Sequence, residues 1–151
     1  MKKRRVITLI WALLLVANIG FIWGNSMLPA SESQQLSDGF LSYLGALLEP
    51  LGEAGSYVIR KAAHITEFAC LGFLLSGFFR RVGRSWAAPA ALCALAAACV
   101  DETIQLFSPG RSSQLTDVWI DFFGALMGMA LLYFGHILWK KTRKTHNSEE
   151  H

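Results

Sequence analysis

The chain has 151 residues, of which 53% are hydrophobic and 17% charged, with a formal net charge of +3 and three cysteines. Soluble domains carry roughly 25% Asp, Glu, Lys and Arg, so a chain this poor in charge, with a mean hydropathy of +0.37, is neither a disordered tail nor a basic nucleic-acid-binding domain. Three cysteines are too few for a secreted disulfide scaffold, and the length allows one domain, residues 1–151.

The chain starts with Lys2, Lys3, Arg4 and Arg5, and residues 6–23 then hold no charged side chain. A basic start and an apolar run also describe a secretory signal, whose apolar region is roughly 7–15 residues. This run is longer and no clean A-x-A site follows it, so it is expected to remain as a spanning helix. The first loop, from Gly24 to about Ala54, is long. Within it Leu36, Phe40, Leu41, Leu44, Leu47, Leu48 and Leu51 recur at helical spacing. That pattern predicts an amphipathic helix on the outer interface, placed as a lid; a mere interfacial anchor is its alternative.

Three more apolar segments follow, at about 55–79, 86–107 and 118–139. A helix needs roughly 20 mostly apolar residues to cross a hydrocarbon core about 30 Å thick. All four segments meet that requirement, and none shows the polar face a soluble bundle would need. The expected fold is all-α: an integral membrane bundle of four transmembrane helices with an outer interfacial helix in the first loop.

Lys and Arg in short loops set orientation. Lys2, Lys3, Arg4 and Arg5 precede the first segment, Arg80, Arg81 and Arg84 lie between the second and third, and Lys140, Lys141, Arg143 and Lys144 follow the fourth. All fall on one side, which is expected to be cytoplasmic together with both termini. The chain is thus expected to be a multi-pass protein with the lipid bilayer as its surroundings and no nucleic-acid partner.

The other charges gather towards the opposite side. Arg60, Lys61 and Arg111 map there, as do Glu67, Asp101, Glu102, Asp117 and Asp121. Asp101 lies 17 residues beyond Arg84, or about 25 Å at the helical rise of 1.5 Å per residue, close to the outer boundary. Arg60, His64 and Glu67 stand at i, i+4 and i+7 on one helix face; Asp101 with Gln105, and Asp117 with Asp121, are four apart. A carboxylate at a helix centre costs roughly 2.5–3.5 kcal/mol on insertion scales. These groups are therefore expected to turn inward and pair with Arg60, Lys61, His64 and Arg111. A polar cluster of this kind is a functional-site hypothesis; charge pairing that merely fixes helix register is its alternative.

Residues 108–114, Ser-Pro-Gly-Arg-Ser-Ser-Gln, join the third and fourth segments. Pro109-Gly110 is a turn signal that carries Arg111 back over the cluster, either to a carboxylate or phosphate ligand or to a salt bridge with Asp117 or Glu102. Gly124 and Gly128 form a G-x-x-x-G, and residues 87–98 are rich in alanine; both permit close helix approach. Cys70, Cys93 and Cys99 lie within apolar segments, which supports neither a disulfide nor a thiolate site. His136 sits at the cytoplasmic end of the fourth segment. The polar tail with His146 and His151 is expected to be disordered.

Three blocks of residues resemble the VanZ-like family: Arg60, Lys61, His64, Glu67, Phe68, Leu71 and Gly72; then Asp101, Glu102, Gln105, Phe107, Pro109, Gly110 and Arg111; then Asp117, Asp121, Gly124 and Gly128. The resemblance covers their order and spacing from Arg60 to Leu132, with a weaker echo at Ser26. It implies a bacterial membrane protein. The founding member is linked to resistance to the glycopeptide antibiotic teicoplanin.

Two functional readings of the cluster stand side by side. In the first it is an enzyme site acting on a lipid-linked wall precursor or another anionic headgroup in the outer leaflet. His64, Glu67, Asp101 and Glu102 would be catalytic: Glu67 or the adjacent Asp101 and Glu102 as general base, His64 as acid/base or metal ligand. Arg60, Lys61, Gln105, Arg111, Asp117 and Asp121 would bind. A hard divalent cation such as Mg²⁺ suits so many oxygen ligands, whereas one His among acids argues poorly for zinc. In the second reading the cluster is a non-catalytic receptor for a headgroup or glycopeptide, or a modulator of a partner enzyme. No G-x-S-x-G, no H-E-x-x-H and no serine directly beside the acids names a nucleophile.

Overall fold

The computed structural model describes residues 2–43, 52–83, 85–111 and 113–149. These form five helices, α1 (Lys2–Met27), α2 (Ala30–Tyr43), α3 (Gly52–Val82), α4 (Ala87–Leu106) and α5 (Leu115–Glu149), with no strand among the described residues. Among the described residues four stretches are long and apolar enough to cross a membrane: Lys2–Met27, Tyr57–Val82, Ala87–Leu106 and Leu115–Arg143. Each overlaps one of the four apolar segments, to within two residues where it does not contain it. Their outward faces carry Leu9, Leu13, Val16, Leu92, Trp119, Phe123 and Leu131, all exposed. So much apolar surface suits a lipid bilayer and not water.

The helix expected in the first loop is α2, beginning already at Ala30. Leu36 is exposed on it, and residues 44–51, with much of the expected apolar stripe, lie outside the described residues. At the other end, the polar tail expected to be disordered is helical as far as Glu149. Residues 140–149 contain neither Gly nor Pro and extend a helix already nucleated, so each added residue gains a hydrogen bond without a new nucleation cost. His151 lies outside the described residues.

Helix α3 touches every other helix, and its contact with α5 is the most extensive in the molecule. Small residues make that contact close. A Cβ on Gly124 would overlap the backbone of Ile65, one on Gly128 the carbonyl of Ala69, and one on Gly72 the carbonyl of Ala125. The G-x-x-x-G thus joins two helices of the same chain. Helix α4 does the same with alanine: Ala90, Ala94, Ala97 and Ala98 are buried on one face. Phe68, Leu71, Leu74 and Leu75 of α3, Leu15 and Ile22 of α1, and Val118, Ala125 and Met129 of α5 complete the core.

Arginine and tryptophan mark the end of the bundle that carries the basic loops. The guanidinium of Arg80 lies over Trp86, that of Arg81 over Trp11 and that of Arg143 over Trp139, and Arg4 donates to the Arg81 carbonyl at 3.0 Å. Tryptophan rings stacked with cations favour the level of lipid headgroups. The opposite end holds a different set of charges.

Candidate functional site

The buried stripe of α4 changes character along its length. Towards the basic end it is alanine; in its last turns the buried positions are Asp101, Glu102 and Gln105. Asp101 is fully buried and Glu102 nearly so. Carboxylates in such a place need donors, and the end of α1, α4 itself and the connection after it supply them. Ser26 Oγ donates to Asp101 Oδ1 at 2.7 Å, while Gln105 Nε2 donates to Asp101 Oδ2 at 2.9 Å. Asn25 Nδ2 donates to Glu67 Oε1 at 2.9 Å, and the backbone N–H of Gln114 donates to Glu102 Oε1.

The connection after α4 is a tight turn. The Arg111 N–H donates to the Ser108 carbonyl at 3.2 Å, with Pro109 and Gly110 between them and Gly110 at φ 74°. Pro then Gly with positive φ is the arrangement of a type II turn, and a side chain at position 110 would strain it. The Pro109 carbonyl accepts from Ala30 N–H at 3.0 Å, satisfying one of the free donors in the first turn of α2. Ser108 Oγ donates to the Ser26 carbonyl at 2.6 Å.

This turn delivers Arg111 to a place the sequence does not reveal. Its Nε donates to the Leu28 carbonyl and its Nη2 to the Asn25 carbonyl, both at 3.0 Å. Neither Asp117 nor Glu102, the salt-bridge partners expected for it, forms an ion pair with it among the described residues: Asp117 pairs with Lys61 and Glu102 accepts from Gln114. The free carbonyls closing α1 need donors and carry the negative end of the helix dipole, so a cation is well placed there. Burial pulls the Arg111 guanidinium below its ordinary pKa, against the nearby carboxylate of Asp101; an arginine still remains charged at neutral pH.

A cavity of about 240 Å³ opens between these elements. Arg60, Lys61 and His64 of α3 line it, with Gln105 of α4, Arg111 and Gln114 of the connection, and Asp117 and Asp121 of α5. Ala30 and Ser33 at the start of α2 complete part of the rim, and Tyr57 another part; the Lys61 ammonium also lies over the Tyr57 ring. Seven of the ten expected site residues thus line one space: Arg60, Lys61, His64, Gln105, Arg111, Asp117 and Asp121. The other three, Glu67, Asp101 and Glu102, stand outside its lining.

His64 joins the lining to the buried layer. Its Nδ1 stands 3.7 Å from Asp121 Oδ1 and 4.0 Å from Asp101 Oδ2, distances too long for a hydrogen bond. His64 Nδ1, Glu67 Oε2, Glu102 Oε2 and Asp121 Oδ2 are buried and have no hydrogen-bond partner among the described residues. Asn25, Ser26, Ser108 and Gln114 belong to the same network and were not among the expected site residues. The signal for Asn25 and Ser26 was modest: two polar residues closing an apolar run, with Ser26 faintly echoing the VanZ-like pattern.

A family model described as VanZ/LLP1 matches residues 9–139. The chain belongs to the VanZ/LLP1 family. No curated protein and no solved structure matches it. The span matched to VanZ/LLP1 includes both Asn25 and Asp121, and so the whole network from the end of α1 to the start of α5.

Proposed function

We propose that this VanZ/LLP1 protein binds the phosphate-bearing headgroup of a lipid-linked cell-envelope molecule in the outer leaflet of a bacterial cytoplasmic membrane, with both its termini in the cytoplasm. The observation that carries this reading is the convergence of Arg60, Lys61 and Arg111 on one cavity at the end of the bundle opposite the basic termini. Against these three cations the lining sets two carboxylates, Asp117 and Asp121, and Lys61 is already paired with Asp117. Arg111 is held by carbonyls and Arg60 by no ion pair among the described residues, so both guanidinium charges are available to an anion. Guanidinium forks match phosphate oxygens.

The size of the cavity bears on the ligand. Sites for drug-sized molecules run from about 300 to 1,000 Å³, and about 240 Å³ admits a phosphate or diphosphate but does not enclose a glycopeptide. Any part in resistance to teicoplanin would then pass through the envelope molecule. Among the four residues proposed as catalytic, His64 faces the cavity, as the acid/base or as a metal ligand. Glu67, Asp101 and Glu102 act from behind the lining. Lys61, Gln105, Asp117 and Asp121 complete the binding set.

A second reading has its own support. Ser26 with Asp101, Lys61 with Asp117, and Arg111 with the end of α1 each join different elements, as in a protein that only holds its helices together while modulating a partner. Protein purified in detergent separates the two when co-purifying lipids are identified by mass spectrometry. A phosphorylated envelope lipid is expected with the native chain and is expected to be lost with Arg60→Ala. Its absence from the native chain leaves the modulator reading. Turnover of added wall precursor that survives in His64→Gln, Glu67→Gln and Glu102→Gln removes the catalytic assignment.

A further inference from the structure

We propose that His64, Asp101 and Asp121 bind one first-row divalent cation, of the Mn²⁺ or Zn²⁺ kind, in the inner wall of the cavity. The inference goes beyond headgroup binding and holds whatever occupies the mouth of the site. One ligand atom from each residue lies within 4.8 Å of the other two. Nitrogen and oxygen ligands bind such an ion at about 2.0–2.2 Å, so ligands sharing it stand about 3–4.4 Å apart. The 3.7 and 4.0 Å separations from His64 Nδ1 to the two carboxylates fall in that interval, too long for hydrogen bonds and short enough for a common ion.

Two further observations point the same way. Asp121 has a side chain only 3% exposed, yet its Oδ2 has no hydrogen-bond partner among the described residues, and neither has His64 Nδ1. Groups so placed are costly unless something meets them. Asp101, by contrast, is oriented as metal-binding carboxylates are: Ser26 holds one oxygen and Gln105 the other, leaving lone pairs directed elsewhere.

The ligand set selects the metal. Two carboxylates alone suit Mg²⁺ or Ca²⁺, but an imidazole nitrogen favours first-row transition ions and zinc, and Mn²⁺ accepts both kinds of ligand. Residue types alone suited Mg²⁺ and argued poorly for zinc; the position of His64 Nδ1 between the two acids is what brings a nitrogen into the ligand set. Helices α3, α4 and α5 contribute one ligand each, so the ion would also tie three helices together at the floor of the cavity.

Protein purified in detergent, stripped with a chelator and dialysed against Mn²⁺ or Zn²⁺ is expected to retain one ion per chain by elemental mass spectrometry. Asp121→Asn keeps the shape of the side chain and His64→Ala removes the nitrogen; each is expected to weaken retention about tenfold or more. A native chain that retains no ion, variants that retain it as the native chain does, or Mg²⁺ held as tightly as Mn²⁺ would overturn the site. Should a variant not fold, the native protein decides alone: the spin-echo modulation of its bound Mn²⁺ is expected to show coupling to an imidazole nitrogen, and no coupling sinks the proposal. Lipid co-purification reads the headgroup site separately, so either result stands without the other.

Discussion

Ser26 Oγ lies 2.7 Å from Asp101 Oδ1 and joins two buried side chains that are 75 residues apart in the chain. The bond ties the last turn of α1 to the acidic end of α4, and it places a hydroxyl where a buried carboxylate most needs a donor. Removing one partner of a buried pair leaves the other unsatisfied, at about 1–3 kcal/mol or more for a charged group. Ser26→Ala is therefore expected to lower the unfolding temperature in detergent. Thr8→Ala, whose exposed hydroxyl bonds only to the Arg4 carbonyl of its own helix, is expected to leave it unchanged. Equal melting of the two variants would remove Asp101 from the forces that hold α1.

Arg111 acts through geometry as well as charge. Lysine at this position keeps the cation but cannot reproduce a planar fork donating to the Leu28 and Asn25 carbonyls at once. Arg111→Lys is expected to melt below the native protein, by the equivalent of about 1–3 kcal/mol, and to retain less phosphorylated lipid. A lysine variant indistinguishable from native in both respects would show that only the charge matters.

Helix contact through glycine gives a prediction with an internal control. Gly128→Leu drives a side chain into the Ala69 carbonyl, backbone that cannot move aside as a side chain can, and separating α3 from α5 loses the largest contact in the fold. Overpacking costs typically about 1–3 kcal/mol and more where backbone is met. Gly135→Ala, where nothing stands within 4 Å, is expected to be neutral or to gain up to about 1 kcal/mol from helix propensity. Size-exclusion profiles and melting of the two variants after extraction read the difference.

Orientation is tested by labelling. In a background lacking Cys70, Cys93 and Cys99, which form no disulfide, a cysteine replacing Ser113 is expected to react with an impermeant thiol reagent applied to whole cells. One replacing Ser85 is expected to react only after the membrane is opened. The reverse pattern would place the cavity on the cytoplasmic side and overturn the outer-leaflet assignment.

Much of the candidate site was legible because it lies on helices. Arg60 and His64 share a face by spacing alone, as do Asp117 and Asp121, and the helical rise sets Asp101 at a similar depth. All but one of these face the cavity; Asp101 stands behind it. Spacing along one helix does not say how far that helix is rotated against its neighbours. Glu67, Asp101 and Glu102 therefore look alike in the sequence, although they stand behind the lining and the other seven form it.

A bundle of membrane helices with two unlike ends follows from the order of residues alone, because hydropathy and charge are properties of consecutive residues read against the thickness of a bilayer. So does the inward turn of the few charges left among apolar neighbours, since lipid offers them no partner. Who the partners are depends on how the helices pack. Arg111 meets the carbonyls of Asn25 and Leu28 at the close of α1 and not the acids nearest to it in sequence. Lys61 takes Asp117, and Asn25 and Ser26 join the site from the end of an apolar helix. Those pairings depend on where one helix ends beside another, and helix ends meet across stretches of chain that no local pattern spans.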